Sequence, residues 1–268
     1  MNGSTFLDTF LLGVLQGVTE FLPISSSGHL VIAQGYFTHL SGNAMIFDVM
    51  LHFGTLLAVV FYFWREVRGF LYLLVGKEVQ DSPIPVRRWF WLIIVATIPS
   101  GIIGLTLEKP IEALFSSPTF AAGAIFVNGI LLLTTSMAPQ LSRQAGDLGV
   151  RDAILIGLMQ GFAILPGISR SSNTIATGLF LGIKGDVAAR FSFLMSIPAI
   201  LGAVLVKSRG LHGADMAALI PYGVGAVVSL VTGLWAIAFL LRVIMKGKFQ
   251  FFGYYCLLFG GGMFLLLQ

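Results

Sequence analysis

The sequence predicts an all-α polytopic membrane protein: six transmembrane helices plus two re-entrant helical hairpins in an inverted-topology repeat. Three observations predict it. Of the 268 residues, 56% are hydrophobic and only 10% are charged, where a soluble domain carries about 25% charged residues. Mean hydropathy is +0.91. Two apolar segments are interrupted by one pattern, QGVTEFLPISSSGH at 16–29 and QGFAILPGISRSSNT at 160–174.

The elements follow in order. Residues 6–24 are apolar but carry Gln16, Glu20 and Pro23, and a short apolar run from Leu30 to Phe37 follows SSSGH. Neither half reaches the ~20 residues of a spanning helix. The pair therefore reads as a re-entrant hairpin whose tip is buried in protein or lines a wet cavity, because lipid cannot satisfy its backbone groups. Six longer runs, about 45–64, 89–107, 120–138, 187–206, 217–241 and 251–267, read as full spans, and a second broken segment covers about 153–183. Residues 66–88 form the longest polar connection. The 32 glycines suit close helix packing in lipid.

An internal repeat explains this order. A shift of 144 residues aligns Asp8 with Asp152, Gly13 with Gly157, Gln16 with Gln160, Gly17 with Gly161, Ser25 with Ser169 and Ser27 with Ser171. The chain reads as one membrane domain, 1–268, with repeats at about 1–144 and 145–268. Each repeat has one hairpin and three spans, so the second copy is inverted, with a site near the repeat interface. Loop charge sets the orientation. Residues 65–88, 139–152, 184–190 and 242–250 hold twelve Lys and Arg; the opposite side holds only Lys109, Lys207 and Arg209. The positive-inside bias lets the first hairpin enter from outside and the second from the cytoplasm. The remaining base, Arg170, lies within the membrane segment.

Several function classes are excluded. The net charge of +4 comes without a basic tract, so nucleic acid is not a predicted partner. There is no P-loop, GxSxG elbow, dinucleotide fingerprint or Cys/His metal spacing. The single cysteine, Cys256, gives no disulfide framework. The first residues lack the basic region and cleavage site of a removable signal peptide.

Ionisable groups at membrane depth are expensive, so they are the functional candidates. Gln16 and Glu20, four apart, share a face of the first half-helix. Glu20 suits a general base or a cation ligand; the structural alternative is a buried pair with Arg170. Ser25, Ser26 and Ser27 can offer hydroxyls and backbone N–H groups to an anion, or simply cap a helix. His29 reads as a proton-transfer group, against the duller reading of a satisfied core histidine. Arg170 has the fork geometry for a phosphate, with Ser169, Ser171 and Thr174 as further donors; the alternative is snorkelling. Asp48 and His52 either line the mouth of the site or mark helix entry.

At these segments the sequence resembles the BacA-type undecaprenyl-diphosphate phosphatase family. Gln16 to Glu20, continuing into FLPISSSGH, is similar to the family's first motif, and Pro166 to Thr174 to its second, PGxSRSxxT. The stretch FDVMLHFGTLLAVVFYFWRE from Phe47 resembles the family as well. The resemblance implies hydrolysis of undecaprenyl diphosphate to the monophosphate, recycling the lipid carrier of cell-wall synthesis at a site open to the outer face of the plasma membrane, and bacitracin resistance. It implies catalytic roles for Glu20, Ser26, His29 and Arg170, and support from Gln16, Ser169, Ser171 and Thr174; Ser25 and Ser27 join these as substrate-binding candidates on the reading of the serines above. A divalent cation, Mg2+ or Ca2+, is expected to assist, with Glu20 as its protein ligand. Ser172 and Asn173 depart from the small Gly-Ala-like pair that often follows SRS. The rival function is a polyprenyl-phosphate flippase or secondary transporter, since broken helices in inverted repeats also build transporters. A homodimer is left open.

Overall fold

The computed structural model describes residues 3–34, 44–77, 82–208 and 216–268. Beside three short 3-10 turns, eleven α-helices make up the regular structure there: α1 (Gly3–Phe21), α2 (Ser26–Gln34), α3 (Ala44–Tyr62), α4 (Trp64–Leu74), α5 (Val86–Glu112), α6 (Pro118–Thr134), α7 (Val150–Phe162), α8 (Arg170–Phe180), α9 (Gly185–Ser208), α10 (Met216–Met245) and α11 (Phe251–Leu266). The all-α polytopic architecture is as the hydropathy pattern requires. Helices stand at all six expected spans, and both broken segments are broken, between α1 and α2 and between α7 and α8. The last three residues of the apolar run Leu30–Phe37, and Arg209, lie outside the described residues.

Two details differ from expectation. Among the described residues, α5, α6, α9 and α10 are long and apolar enough to cross a membrane alone. The fifth span, α3, joins α4 across an 86° bend. The sixth, α11, has 16 residues, short of the ~20 that a perpendicular span needs. The second difference is α4, which occupies the start of the expected polar connection at 66–88. Its charges disguised it: WREVRGFLYLL carries Arg65, Glu66 and Arg68 among apolar residues at helical spacing, so it is amphipathic rather than loop-like. Glu66 is buried at the bend and accepts a hydrogen bond from Arg190 of α9, whose guanidinium lies 5.6 Å from the Phe63 ring centre.

The two halves interlock. α1 packs on α10, α7 on α5, and α6 on α11. All three contacts are backbone-close. A Cβ on Gly157 would sit 2.1 Å from the Ala96 carbonyl oxygen of α5, and one on Gly13 would sit 2.8 Å from that of Gly225 in α10. Gly157→Val is therefore expected to lower stability by at least about 2–3 kcal/mol, since rigid backbone must move. Thermal unfolding in detergent checks this, and an unchanged midpoint would refute the close crossing. Aromatic side chains fill the centre: Phe21 meets Phe193 edge-on, Trp89 meets Phe191 likewise, and Trp89 Nε1 donates to the Ala145 carbonyl at 2.9 Å.

The entry to α7 is tied by Arg143. Its guanidinium donates to both Asp152 oxygens at 2.9 and 2.6 Å and to the carbonyls of Leu181 and Asp147. Burial works against the Asp152 charge, but the Arg143 guanidinium and the Gly149 N–H overcome it and hold the carboxyl below its ordinary 3.8. A depressed carboxylate stabilises the fold above its unfolded pKa, and that contribution is lost as pH falls through the folded value. Asp152→Asn is thus expected to melt below wild type at neutral pH, with the gap closing under about pH 4. Melting curves across that range test it.

Candidate active site

Each break is built by local chemistry. Pro23 lacks an N–H and stops α1. Ser25 then takes φ +73°, the one positive φ outside glycine among the described residues. Its hydroxyl accepts the Gly28 N–H at 3.2 Å and caps α2. In the second break, Gly167 takes φ +96° after Pro166, and the Ser169 hydroxyl accepts the Ser172 N–H at 3.2 Å to cap α8. The two tips match bond for bond at the 144-residue shift. Ser25 Oγ meets Ser27 Oγ at 3.3 Å, and Ser169 Oγ meets Ser171 Oγ at 3.0 Å. The Ser25 carbonyl accepts from His29 Nδ1 at 2.7 Å, and the Ser169 carbonyl from Asn173 Nδ2 at 2.9 Å. A serine at positive φ stores about 1–3 kcal/mol of strain, the kind held at functional sites.

The tips bring together a carboxylate, a hydroxyl and a guanidinium. Arg170 Nη2 donates to Glu20 Oε1 at 2.8 Å, across 150 residues of sequence. Glu20 Oε2 accepts from Ser26 Oγ at 2.6 Å and from Gln16 Nε2 at 3.0 Å. His52 of α3 adds Nε2 at 3.9 Å from the same oxygen. Its Nδ1 lies 2.8 Å from the Asp48 carbonyl, which can only accept, so Nδ1 carries a hydrogen. Of Asp48 and His52, His52 is thus placed beside Glu20. Arg170 Nη1 and Gln16 Oε1 are shielded from solvent and have no partner among the described residues. A buried guanidinium N–H left unpaired is costly, and an anionic oxygen would satisfy it.

The other predicted residues divide. Ser27 is half-buried beside Ser26, its hydroxyl 3.3 Å from that of Ser25. Ser25, Ser169, Ser171 and Thr174 are buried, and their hydroxyls build the tips rather than face the cluster. Ser171 Oγ donates to the Leu22 carbonyl at 3.2 Å, joining the breaks, and Thr174 Oγ1 pairs with the Arg170 carbonyl at 2.8 Å and Ser192 Oγ at 2.6 Å. Sequence could not show this, because an internal bond and a ligand bond require the same residue type. His29 is also redirected. Its Nδ1 is held by the Ser25 carbonyl, its Nε2 lies 2.8 Å from the Tyr255 hydroxyl, and its ring stacks on Phe259 at 4.5 Å. The imidazole beside Glu20 is His52, not His29.

A cation site is not complete in these side chains. Among the described residues no three His, Cys, Asp or Glu groups converge. The Glu20 oxygens already take three N–H and O–H donors. A cation here would therefore have Glu20 as its carboxylate ligand, with substrate phosphates and water completing its shell.

Sequence reading missed Asn128 and Tyr255. Asn128, 1% exposed on α6, donates to the Pro23 carbonyl at 2.9 Å, while its Oδ1 accepts from the Ser169 N–H at 3.3 Å and from the Ser172 hydroxyl. A lone amide in an otherwise apolar span was the available signal. The departure at Ser172 and Asn173 thus has a local use: one hydroxyl meets Asn128, and one amide ties the tip. Tyr255 gave no signal, since aromatic residues are common in membrane helices.

The sequence profile of the bacitracin resistance protein BacA matches residues 9–262. The chain belongs to the BacA family. A Moorella thermoacetica protein named undecaprenyl-diphosphatase is 41% identical over 95% of both chains. One of that name from Syntrophotalea carbinolica is 40% identical over 98% of this chain and 99% of its own, and one from Methanosphaera stadtmanae is 37% identical over 95% of each. At least 95% of this chain is covered in all three, and the family match spans residues 9–262, so both breaks lie inside the shared region.

Proposed function

We propose that this protein hydrolyses undecaprenyl diphosphate to the monophosphate and inorganic phosphate. The observation that carries the reading is the unpaired Nη1 of Arg170, shielded from solvent beside a Glu20–Ser26 hydrogen bond of 2.6 Å. Arg170 supplies charge for the terminal phosphate, and the open N–H groups at the starts of α2 and α8 supply donors. Glu20 takes the proton of the attacking oxygen, either the Ser26 hydroxyl or a water in its place. The new P–O bond forms as the P–O–P bridge breaks, and polyprenyl monophosphate departs. If Ser26 attacks, water then cleaves the phosphoserine. Charge stabilisation does most of the work in such a transfer. His52 stands where it can exchange a proton with Glu20, while His29 holds the tip of α2 against α11.

A lipid substrate accounts for a charged site among membrane helices: the tail remains in hydrocarbon while the headgroup enters. Glu20 would hold a divalent cation, which would supply further charge neutralisation for the diphosphate. The loop charges support an outward-facing site in the plasma membrane, recycling the carrier lipid of cell-wall synthesis and so conferring bacitracin resistance. The flippase reading explains the arginine but leaves the Glu20–Ser26 pair without a task.

The test is phosphate release from undecaprenyl diphosphate by the purified protein, with and without chelator. Release that chelator suppresses and Mg2+ or Ca2+ restores is expected. Movement of lipid between vesicle leaflets with no phosphate released would favour the flippase and overturn the phosphatase.

A further inference from the structure

The distance between Glu20 and Arg170 depends on how two separate breaks sit against one another. Direct bonds between the breaks are few. One is Ser171 Oγ to the Leu22 carbonyl at 3.2 Å. Another is contact without side chains: a Cβ on Gly28 would lie 2.7 Å from Gly167 Cα and 2.9 Å from Ile125 Cδ1 of α6. Both breaks rest on the same face of α6. At its centre Asn128 reaches each: Nδ2 to the Pro23 carbonyl at 2.9 Å, Oδ1 to the Ser169 N–H at 3.3 Å.

These partners determine which way the amide points. The Pro23 carbonyl can only accept and the Ser169 N–H can only donate, so Nδ2 must face the first break and Oδ1 the second. The Ser172 hydroxyl, also on Oδ1, reinforces that orientation. Pro23 lies three residues after Glu20, and Ser169 immediately precedes Arg170. Asn128 therefore holds the backbone beside the carboxylate and the backbone beside the guanidinium with one rigid, two-ended group.

We propose that Asn128 is a positioning residue for the Glu20–Arg170 site, with Ser172 locking its amide. The inference rests on the phosphatase reading above. Asn128 does not touch substrate; it sets the register of the groups that do. A misplacement near 1 Å at a reacting centre costs on the order of 100-fold in rate. The loss should fall on kcat, because headgroup and tail still bind while the groups that act in the transition state are displaced.

The experiment measures kcat, KM and melting midpoint for phosphate release from undecaprenyl diphosphate by wild type, Asn128→Ala, Ser172→Ala and the double variant. Arg143→Ala, which loosens the entry to α7, is the control for stability alone. Asn128→Ala is expected to lower kcat by about 30-fold with KM within about threefold, and Ser172→Ala to lower kcat by about threefold. The double variant should be no slower than Asn128→Ala, because the hydroxyl acts through the amide. Arg143→Ala should melt lower with kcat unchanged. A wild-type kcat in Asn128→Ala, or additive losses in the double variant, overturns the proposal. So does a loss in Asn128→Ala that only follows the folded fraction. Should Asn128→Ala not fold, Ser172→Ala decides alone, an unchanged kcat overturning the proposal. A wild-type protein that releases no phosphate overturns the phosphatase reading and this inference together. An active wild type matched by Asn128→Ala overturns this inference only.

Discussion

Arg170→Ala is expected to lower kcat/KM for phosphate release by at least about 1,000-fold, the scale set by arginines that stabilise a transferring phosphoryl group. Arg170 has two tasks at once: Nη2 is committed to Glu20, and Nη1 is unpaired and available. Lysine offers a compact charge without that planar fork. Arg170→Lys should therefore recover little, staying about 100-fold or more below wild type. Removing one partner of a buried ion pair also costs about 3–5 kcal/mol of stability. The variant Arg170→Gln/Glu20→Gln separates the two effects, since it removes both charges together. It should fold better than Arg170→Ala and remain as inactive. Steady-state kinetics beside melting midpoints check this. Near-wild-type release by Arg170→Ala would place the diphosphate elsewhere.

Glu20→Gln is the second large effect, expected at about 100- to 10,000-fold in kcat. The substitution keeps the shape of the side chain and removes the base. It also turns one acceptor oxygen into a donor, which opposes the Ser26 hydroxyl and the Gln16 amide now bonded to Oε2. Ser26→Ala separates the two routes of attack. If the hydroxyl attacks, Ser26→Ala falls as far as Glu20→Gln, and phosphate from labelled substrate is trapped on Ser26 in wild type. If water attacks, Ser26→Ala loses only a hydrogen bond, about tenfold or less in rate. Full activity in Glu20→Gln would remove the proposed base whichever route holds.

Much of the site could be read from residue type and spacing. Glu20, Ser26 and Arg170 were evident because charge at membrane depth needs a reason, and the structure brings them within hydrogen-bonding distance. Pro23 and the Pro166–Gly167 pair located the breaks, since a missing N–H or a positive φ ends a helix wherever it occurs. Partners were harder. His29 follows a triple serine and looked like the proton carrier, yet a carbonyl four residues back and Tyr255, 226 residues on, take its two nitrogens. His52 stood out with Asp48 only as lining the mouth of the site or marking helix entry, and it reaches Glu20 because α3 packs on α1.

Hydropathy, charge placement and the 144-residue echo between the two broken segments by themselves determined that this is an all-helical membrane protein with two interrupted helices. Those features act over a few turns of chain, where backbone hydrogen bonding and transfer from water to lipid dominate. The tertiary structure alone decided which polar groups meet. It turned four expected donors inward to build the tips, set His52 rather than His29 beside Glu20, and placed an amide from α6 between breaks that are distant in sequence. A buried hydrogen bond depends on direction and on tenths of an ångström, and such precision arises only once the helices are packed.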